Sequence, residues 1–247
     1  MKLAGITQLA QSSNWLVAVI VTVVFASLAR LTRGVTTSGA IAGAVVCFVL
    51  FTGVGPAAVL VLLSVFCLTW LATRFGYQRK QSLGTAERRE GRQASQVLAN
   101  LGVAALCAGL FRLSGGNAIW LLAMSAALAE AAADTVSSEL GQTSRRVPRL
   151  ITTWDRVPAG TDGGISRRGT AGGLLAAAVV CVVCVLAGIV SSKQSYVALG
   201  AAMLGMLADS FLGASLERRK LCNNDAVNFA STAIAAGIAV WFSRLIA

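Results

Sequence analysis

The chain has 247 residues, of which 56% are hydrophobic and only 13% are charged, and its mean hydropathy is +0.73. Soluble domains contain about 45–50% apolar and about 25% charged residues, so this composition excludes the soluble class and predicts an integral membrane protein. The formal net charge is +11, and its meaning depends on where the basic residues lie.

Eight apolar runs follow one another along the chain, and each approaches the length of about 20 residues that a membrane-spanning helix needs. They cover residues 14–29, 39–54, 56–73, 97–111, 117–133, 170–190, 194–212 and 226–246. Only three prolines are present, and no low-complexity tract suggests a linker. We therefore predict an all-α, polytopic membrane protein with about eight transmembrane helices, in which residues 1–247 form a single domain.

The basic residues fall on alternate connecting segments, which are residues 30–38, 74–96, 134–169 and 213–225. The exceptions among the 21 Lys and Arg are Lys2, Arg112, Lys193 and Arg244. The positive-inside rule assigns such segments to the cytoplasmic side, so we predict a cytoplasmic membrane protein with both termini outside. Since topology accounts for the net charge, no nucleic-acid partner is expected.

Three carboxylates lie inside or at the edge of apolar runs, where ionisable groups are costly and are functional candidates by default. Glu130 and Asp134 share one helix face with Ser138 because the three are four residues apart. Asp209 follows an alanine and precedes a hydroxyl, as Asp134 does. Mg²⁺ is usually bound by one or two carboxylates plus substrate phosphates. We therefore interpret Asp134 and Asp209 as a Mg²⁺ site; the alternative is a pair of buried aspartates satisfied by neighbouring Ser or Arg.

The ends of the helices also favour ligands on the basic side. Even-numbered spans would begin there and present positive N-termini, whereas odd-numbered spans would end there and present negative C-termini. The sixth span follows residues 160–169, GTDGGISRRG, a sequence that suits a phosphate-binding loop before a helix. The alternative is a flexible loop that carries positive-inside arginines.

The eighth span opens with three amide side chains around an aspartate. Asn224 or Asp225 could simply cap the helix. Asn228 lies inside the apolar run, where a cap does not explain it, and it calls for a polar ligand or an interhelical hydrogen bond. The sequence has no histidine, so a metal would be held by oxygen or thiolate ligands.

Six short stretches, in order over most of the chain, together resemble a known family. They are Gln96–Asn100, Ala133–Thr135 with Ser138–Gly141, Pro148–Thr153, Gly160–Ser166, Asp209–Ser210 with Leu212–Ala214, and Asn223–Asn224 with Val227–Phe229. The family is the integral membrane group known as domain of unknown function ninety-two. It includes transmembrane protein nineteen and the phytyl-phosphate kinase of tocopherol synthesis. Many members have Trp where this chain has Val136.

The resemblance implies a membrane-embedded, Mg²⁺-dependent kinase. Its donor would be a nucleoside triphosphate, CTP or ATP, and its acceptor an isoprenoid monophosphate or alcohol of the phytyl or polyprenyl type. The catalytic residues implied are Asp134, Asp209 and Asp162, and the metal ligands are Asp134, Glu139, Asp209 and Asp225. The phosphate or nucleotide contacts are Arg149, Thr161, Gly163, Gly164 and Ser166, to which the eighth span adds Asn224 and Asn228.

Two other functions use the same residues. A nucleotidyltransferase acting on a lipid phosphate would need the same metal and phosphate groups. An ion- or proton-coupled transporter would use Glu130 and Asp209 as ion sites, but transporters place their binding groups near the bilayer midplane on broken helices. The clustering of carboxylates on one side favours an enzyme whose partners are a membrane lipid and a nucleotide. The sequence gives no oligomeric state.

Overall fold

The computed structural model describes the backbone of residues 2–246 and the side chains of residues 15–243, and within this range the chain forms nine α-helices. The helices are α1 Lys2–Leu31, α2 Thr37–Gly53, α3 Pro56–Arg74, α4 Tyr77–Ser82, α5 Ala94–Leu113, α6 Ile119–Gln142, α7 Arg167–Leu186, α8 Ser192–Leu212 and α9 Asn224–Ile246. A π-helical turn, Gly213–Glu217, continues α8. Two short antiparallel strands, β1 Arg149–Leu150 and β2 Gly164–Ile165, lie in the loop between α6 and α7.

Each of the eight predicted apolar runs overlaps one of the eight long helices over most of its length, so the predicted helical membrane class is confirmed. Six of them, α3 and α5 to α9, are long and apolar enough to cross a membrane over their described residues. The described apolar parts of the first two helices, Trp15–Leu31 and Thr37–Gly53, fall short of that length. Six spans rather than eight therefore meet the criterion, because a run near 17 residues is at the lower limit for crossing.

Side-chain caps set the start of several helices. Thr36 Oγ1 accepts a hydrogen bond from Gly39 N at 3.1 Å, and Ser166 Oγ accepts one from Gly169 N at 3.0 Å. Gln93 and Gln96 form a reciprocal capping box at the start of α5. Such caps satisfy backbone N–H groups that have no partner within the helix. They begin α2, α5 and α7 close to the boundaries that the sequence predicts.

Helix α6 is the centre of the bundle. It packs against α3, α5, α7, α8 and α9. Within its most apolar stretch 78% of the residues are buried, whereas the corresponding stretches of the other five candidate spans are 28–39% buried. Its middle is rich in alanine, and small residues let neighbouring backbones approach closely in lipid. The carboxylates that α6 carries therefore lie in the protein interior rather than against lipid.

The contact between α6 and α7 depends on Gly169. A Cβ added there would lie 2.6 Å from the carbonyl oxygen of Ser137. We expect Gly169→Ala to lower the free energy of unfolding by about 1–3 kcal/mol, because overpacking forces the helices apart. Thermal unfolding in detergent, followed by helical circular dichroism, measures this. The control is Gly200→Ala, whose added Cβ meets nothing within 4 Å and which should be neutral or stabilising. Equal stability of the two variants would contradict the close approach.

The connecting segments predicted to share one side meet at one end of the bundle. Residues from the α4–α5 loop, the end of α6, the α6–α7 loop and the end of α8 line a common cavity there. Their predicted clustering is thus confirmed. The assignment of this end to the cytoplasm remains a prediction from the arginine distribution.

Candidate functional site

A polar cavity of about 350 Å³ lies at this end of the bundle. Residues from the C-terminal parts of α6 and α8 face residues from the beginnings of α5, α7 and α9 across it. The two C-terminal parts contribute carboxylates, and the three helix N-termini bring partial positive charge. This is the combination of helix ends that the sequence predicts for a site that handles phosphate and a cation.

Two of the predicted residues, Asp134 on α6 and Asp209 on α8, form a carboxylate pair in this cavity. Both are half-buried, and their carboxyl groups lie within hydrogen-bonding reach of each other. Two carboxylates this close repel each other unless a proton or a cation lies between them. The pair is therefore a place where a cation could be held by two protein oxygens.

A chain of amides supports the pair from α9 and α5. With its amide nitrogen turned toward Asp209, Asn228 donates to Asp209 Oδ1 at 3.2 Å and to Asn224 O at 3.2 Å. Its amide oxygen then accepts from Asn100 Nδ2 at 3.2 Å. Asn100 and Asn228 are both buried, at 7% and 8% exposure. The interhelical hydrogen bond predicted as one explanation of Asn228 is thus present, and Asn228 also borders the cavity.

Glu130 lies one helical turn before Asp134 and is 1% exposed. Its Oε1 has no hydrogen-bond partner among the described residues. Gly205 makes room for it, since a Cβ at that position would lie 2.7 Å from Glu130 Cγ. Glu130 does not line the polar cavity, so it is buried behind the pair and does not face a ligand there.

Arg92 is a site residue that the sequence did not single out. Its Nη1 donates to Thr135 Oγ1 at 3.3 Å, and its guanidinium lies near Asp134. A parallel bridge to Val35 fixes its backbone, with Arg92 N donating to Gly34 O at 3.1 Å and Thr36 N donating to Arg92 O at 2.9 Å. Because six basic residues share its segment, sequence alone gave no reason to choose this one.

Glu217 is the second residue that the sequence missed. It lies in the π-helical turn after α8, is half-buried and lines the polar cavity near Asp162. The predicted catalytic Asp162 borders the same cavity and is itself exposed. The π-turn that carries Glu217 has no simple sequence signature.

The predicted phosphate loop does border the cavity, through Thr161, Gly163, Gly164 and Ser166. Three of these residues, Thr161, Gly163 and Ser166, also have a role in holding the local structure together. The hydroxyl of Thr161 donates to Pro158 O at 2.8 Å, and Ser166 caps α7. Gly163 has φ +74°, and a Cβ there would lie 2.6 Å from Ser210 O, so only glycine fits where the loop crosses the end of α8.

Two predicted residues do not line the polar cavity. Arg149 is exposed, and its Nη1 donates to the carbonyl oxygen of Trp154 at 2.7 Å. Asp225 borders an apolar groove between α2, α5 and α9, with Leu98 and Phe229. The structure therefore separates these two residues from Asp134 and Asp209, whereas Asn224 and Asn228 from the same stretch do reach the cavity.

Glu139 lies at the cavity wall, but both of its carboxylate oxygens are engaged by the protein. Oε2 is 2.5 Å from Lys80 Nζ, and Oε1 accepts from Thr73 Oγ1 at 3.0 Å. Lys80 is fully buried and also donates to the carbonyl oxygens of Ala72 and Thr73 at the end of α3. This arrangement gives Glu139 a structural role, as an ion pair that ties α3 and α4 to α6.

Within the described part of the chain, no group of three or more acidic or cysteine side chains is arranged to hold a metal by itself. Mg²⁺ does not need such a cage, since it keeps several waters and is commonly bound by one or two carboxylates plus substrate phosphates. The Asp134–Asp209 pair, beside Arg92 and the loop at 160–166, fits that kind of site. In this structure both carboxylate oxygens of Glu139 are engaged by Lys80 and Thr73, and Asp225 does not line the polar cavity.

Comparison with known proteins gives relatives over most of the chain. An uncharacterized membrane protein of Methanocaldococcus jannaschii is 34% identical over 227 residues, which cover 91% of this chain and 92% of the relative. The chloroplastic protein VTE6 of Arabidopsis thaliana is 29% identical over 87% of this chain and 67% of its own length. An uncharacterized membrane protein of Synechocystis is 30% identical over 78% of this chain and 76% of the relative.

No solved structure matches the chain. The family described as integral membrane protein DUF92 matches residues 20–236. This range contains the whole polar cavity and all six stretches that carry the resemblance. Together with the relative from Methanocaldococcus, which covers nearly the full length, the match shows that the chain belongs to the DUF92 family of integral membrane proteins.

Proposed function

We propose that this protein is a Mg²⁺-dependent phosphotransferase that moves the γ-phosphoryl group of CTP or ATP to an isoprenoid monophosphate or alcohol. The observation that carries the proposal is the meeting of the Asp134–Asp209 pair, Arg92 and the 160–166 loop in one polar cavity. The similarity of this chain to VTE6, which points to a phytyl-phosphate kinase-like family, supports the same chemistry.

Phosphoryl transfer needs alignment and charge stabilisation more than covalent help. An acceptor oxygen attacks the γ-phosphorus, the bond to the bridging oxygen breaks, and the nucleoside diphosphate leaves with that electron pair. Asp134 and Asp209 would hold Mg²⁺, which neutralises charge on the phosphates when bound. Arg92 would contact a phosphate oxygen, and Asp162 or Glu217 would accept the proton from an alcohol acceptor. The absence of histidine is then no obstacle.

The cavity lies at the end of the bundle where the arginine-rich segments meet, so the positive-inside rule supports access from the cytoplasm. Access from that side fits the proposed use of a nucleotide, because nucleotides are supplied from the cytoplasm. The described carboxylates gather at that one end, apart from Glu130 one turn deeper. That distribution favours an enzyme with one-sided access over a transporter, whose sites lie near the midplane.

The decisive experiment incubates the purified protein in detergent with isoprenoid alcohols and monophosphates and with nucleotide labelled in either the α- or the γ-phosphate. We expect γ-label in a lipid product, loss of transfer on chelation, and its recovery when Mg²⁺ is added back. Asp225→Asn, a change outside the cavity, should retain the activity. Transfer of α-label would instead establish nucleotidyl transfer. Transfer of neither label, with folded protein, would refute both activities and leave transport.

A further inference from the structure

A second cavity, of about 370 Å³, lies beside the polar one and is enclosed mainly by α1, α2, α3 and α5. Its inner part is lined by apolar side chains. They include Phe25, Leu62, Val65, Phe66 and Leu101. The function proposed above gives it no role so far. This apolar inner lining suits an apolar chain, since pockets for small molecules are mostly apolar with a few placed polar groups.

The mouth of this apolar cavity is strongly basic. Five arginines border it, and the one acidic side chain among its lining residues is Glu87. The arginines are Arg33, Arg74, Arg88, Arg89 and Arg92. Among the described side chains, Lys80–Glu139 is the only ion pair within 4.0 Å. None of the five arginines therefore has a carboxylate within that distance. Guanidinium groups bind phosphate through paired, charge-assisted hydrogen bonds, so the mouth is complementary to an anionic phosphate.

The two cavities are adjacent and share part of their lining. Both are bordered by Glu87, Arg92, Gln96 and Asn100. Arg92 lies between them, because its Nη1 donates to Thr135 Oγ1 beside the polar cavity while the residue also lines the apolar cavity. A molecule with its chain in the apolar cavity would therefore present its head group to the carboxylate pair.

The depth of the apolar cavity sets a chain length. Leu62 at its inner end and Arg74 at its mouth lie on the same helix, about 18 Å apart at a rise of about 1.5 Å per residue. That distance is about half the hydrocarbon thickness of a bilayer, roughly 15 Å. An extended chain advances roughly 3.5 Å per three bonds, so the cavity accommodates a main chain of about fifteen bonds.

We propose that this apolar cavity is the pocket for the lipid acceptor's chain, with the acceptor's phosphate held by the arginines at its mouth. That the bound lipid is the phosphoryl acceptor rests on the proposed function, but the binding of a long-chain monophosphate in this cavity is a separate property. Gly43 on α2 is a position at which a larger side chain would reduce the space available to the lipid chain. It lines the cavity, and a Cβ added there would meet nothing within 4 Å, so a larger side chain at 43 extends into the room left for the chain.

The test uses a long-chain isoprenoid monophosphate with a photoreactive diazirine at its chain end, and the labelled peptides are mapped by mass spectrometry. We expect label on the inner ends of α1, α3 or α5, displaced by unlabelled phytyl monophosphate. Gly43→Leu should weaken binding roughly 50-fold, the loss expected when about three methylene groups leave an apolar site. The control is Gly200→Leu, on an exposed helix face that borders none of the cavities described above.

The outcomes separate this inference from the proposed function. Unchanged labelling of Gly43→Leu, or label confined to lipid-facing surfaces, would overturn the chain pocket even if the wild-type protein transfers phosphate. Conversely, specific labelling that Gly43→Leu abolishes would establish the pocket even if no nucleotide donates a phosphoryl group. If transfer occurs, Gly43→Leu should lose long-chain acceptors while it keeps dimethylallyl monophosphate, whose short chain needs little of the apolar cavity.

Discussion

Asp134→Asn and Asp209→Asn should each reduce phosphoryl transfer by roughly 10²–10³-fold, the loss typical when one preorganised charge-stabilising group is removed. Asparagine keeps the size of the side chain but removes the negative charge that would hold Mg²⁺. The two carboxyl groups lie within hydrogen-bonding reach, so either change also relieves their repulsion. We therefore expect the unfolding temperature of each variant to stay level or rise while activity falls.

Opposite movement of activity and stability is the informative result, because a misfolded variant would lose both. Rates should be measured over a range of Mg²⁺ concentrations, beside thermal unfolding in the same detergent. Asp225→Asn makes the same chemical change on the apolar side of α9 and should leave the rate within about twofold, as expected for a substitution away from the site. Wild-type rates in both single variants would refute the role of the carboxylate pair.

The helices and the site carboxylates could be predicted because the bilayer imposes strict local rules. Apolar runs of fixed length give the spans, and arginine placement gives their common end. The cost of charge in lipid singled out Asp134 and Asp209 without any knowledge of packing. Each of these signals can be evaluated from a single stretch of chain.

The remaining site residues depend on contacts between distant parts of the chain. Arg92 lies beside α6, where it donates to Thr135, and a bridge between Val35 and Arg92 fixes the start of α5 beside α2. The family resemblance implies a phosphate contact for Arg149, but Arg149 donates to the carbonyl oxygen of Trp154 and does not line the polar cavity. The apolar cavity could not be predicted from the sequence either, because its walls come from four helices and no local pattern encodes how these helices pack together.

Lys80→Met should produce the largest loss of stability, about 3–5 kcal/mol, the cost of leaving one charge of a buried ion pair without its partner. Lys80 is fully buried, and its ammonium group contacts Glu139 Oε2 and the carbonyl oxygens of Ala72 and Thr73. Denaturant or thermal unfolding in detergent measures the effect. Lys193→Met is the control, because this lysine is exposed at the opposite end of the bundle and its loss should change stability by less than about 0.5 kcal/mol.

The double variant Lys80→Met, Glu139→Leu decides what Glu139 does. Replacing a buried ion pair by apolar residues of similar size is often neutral or stabilising, so the double variant should recover most of the stability lost by Lys80→Met. If Glu139 is only the partner of Lys80 and Thr73, the refolded double variant should also regain transfer activity. If it is instead a Mg²⁺ ligand, as the family resemblance implies, the double variant will be stable but inactive at every Mg²⁺ concentration. Because stability and activity are measured on the same protein, the result assigns Glu139 to the ion pair or to the metal site.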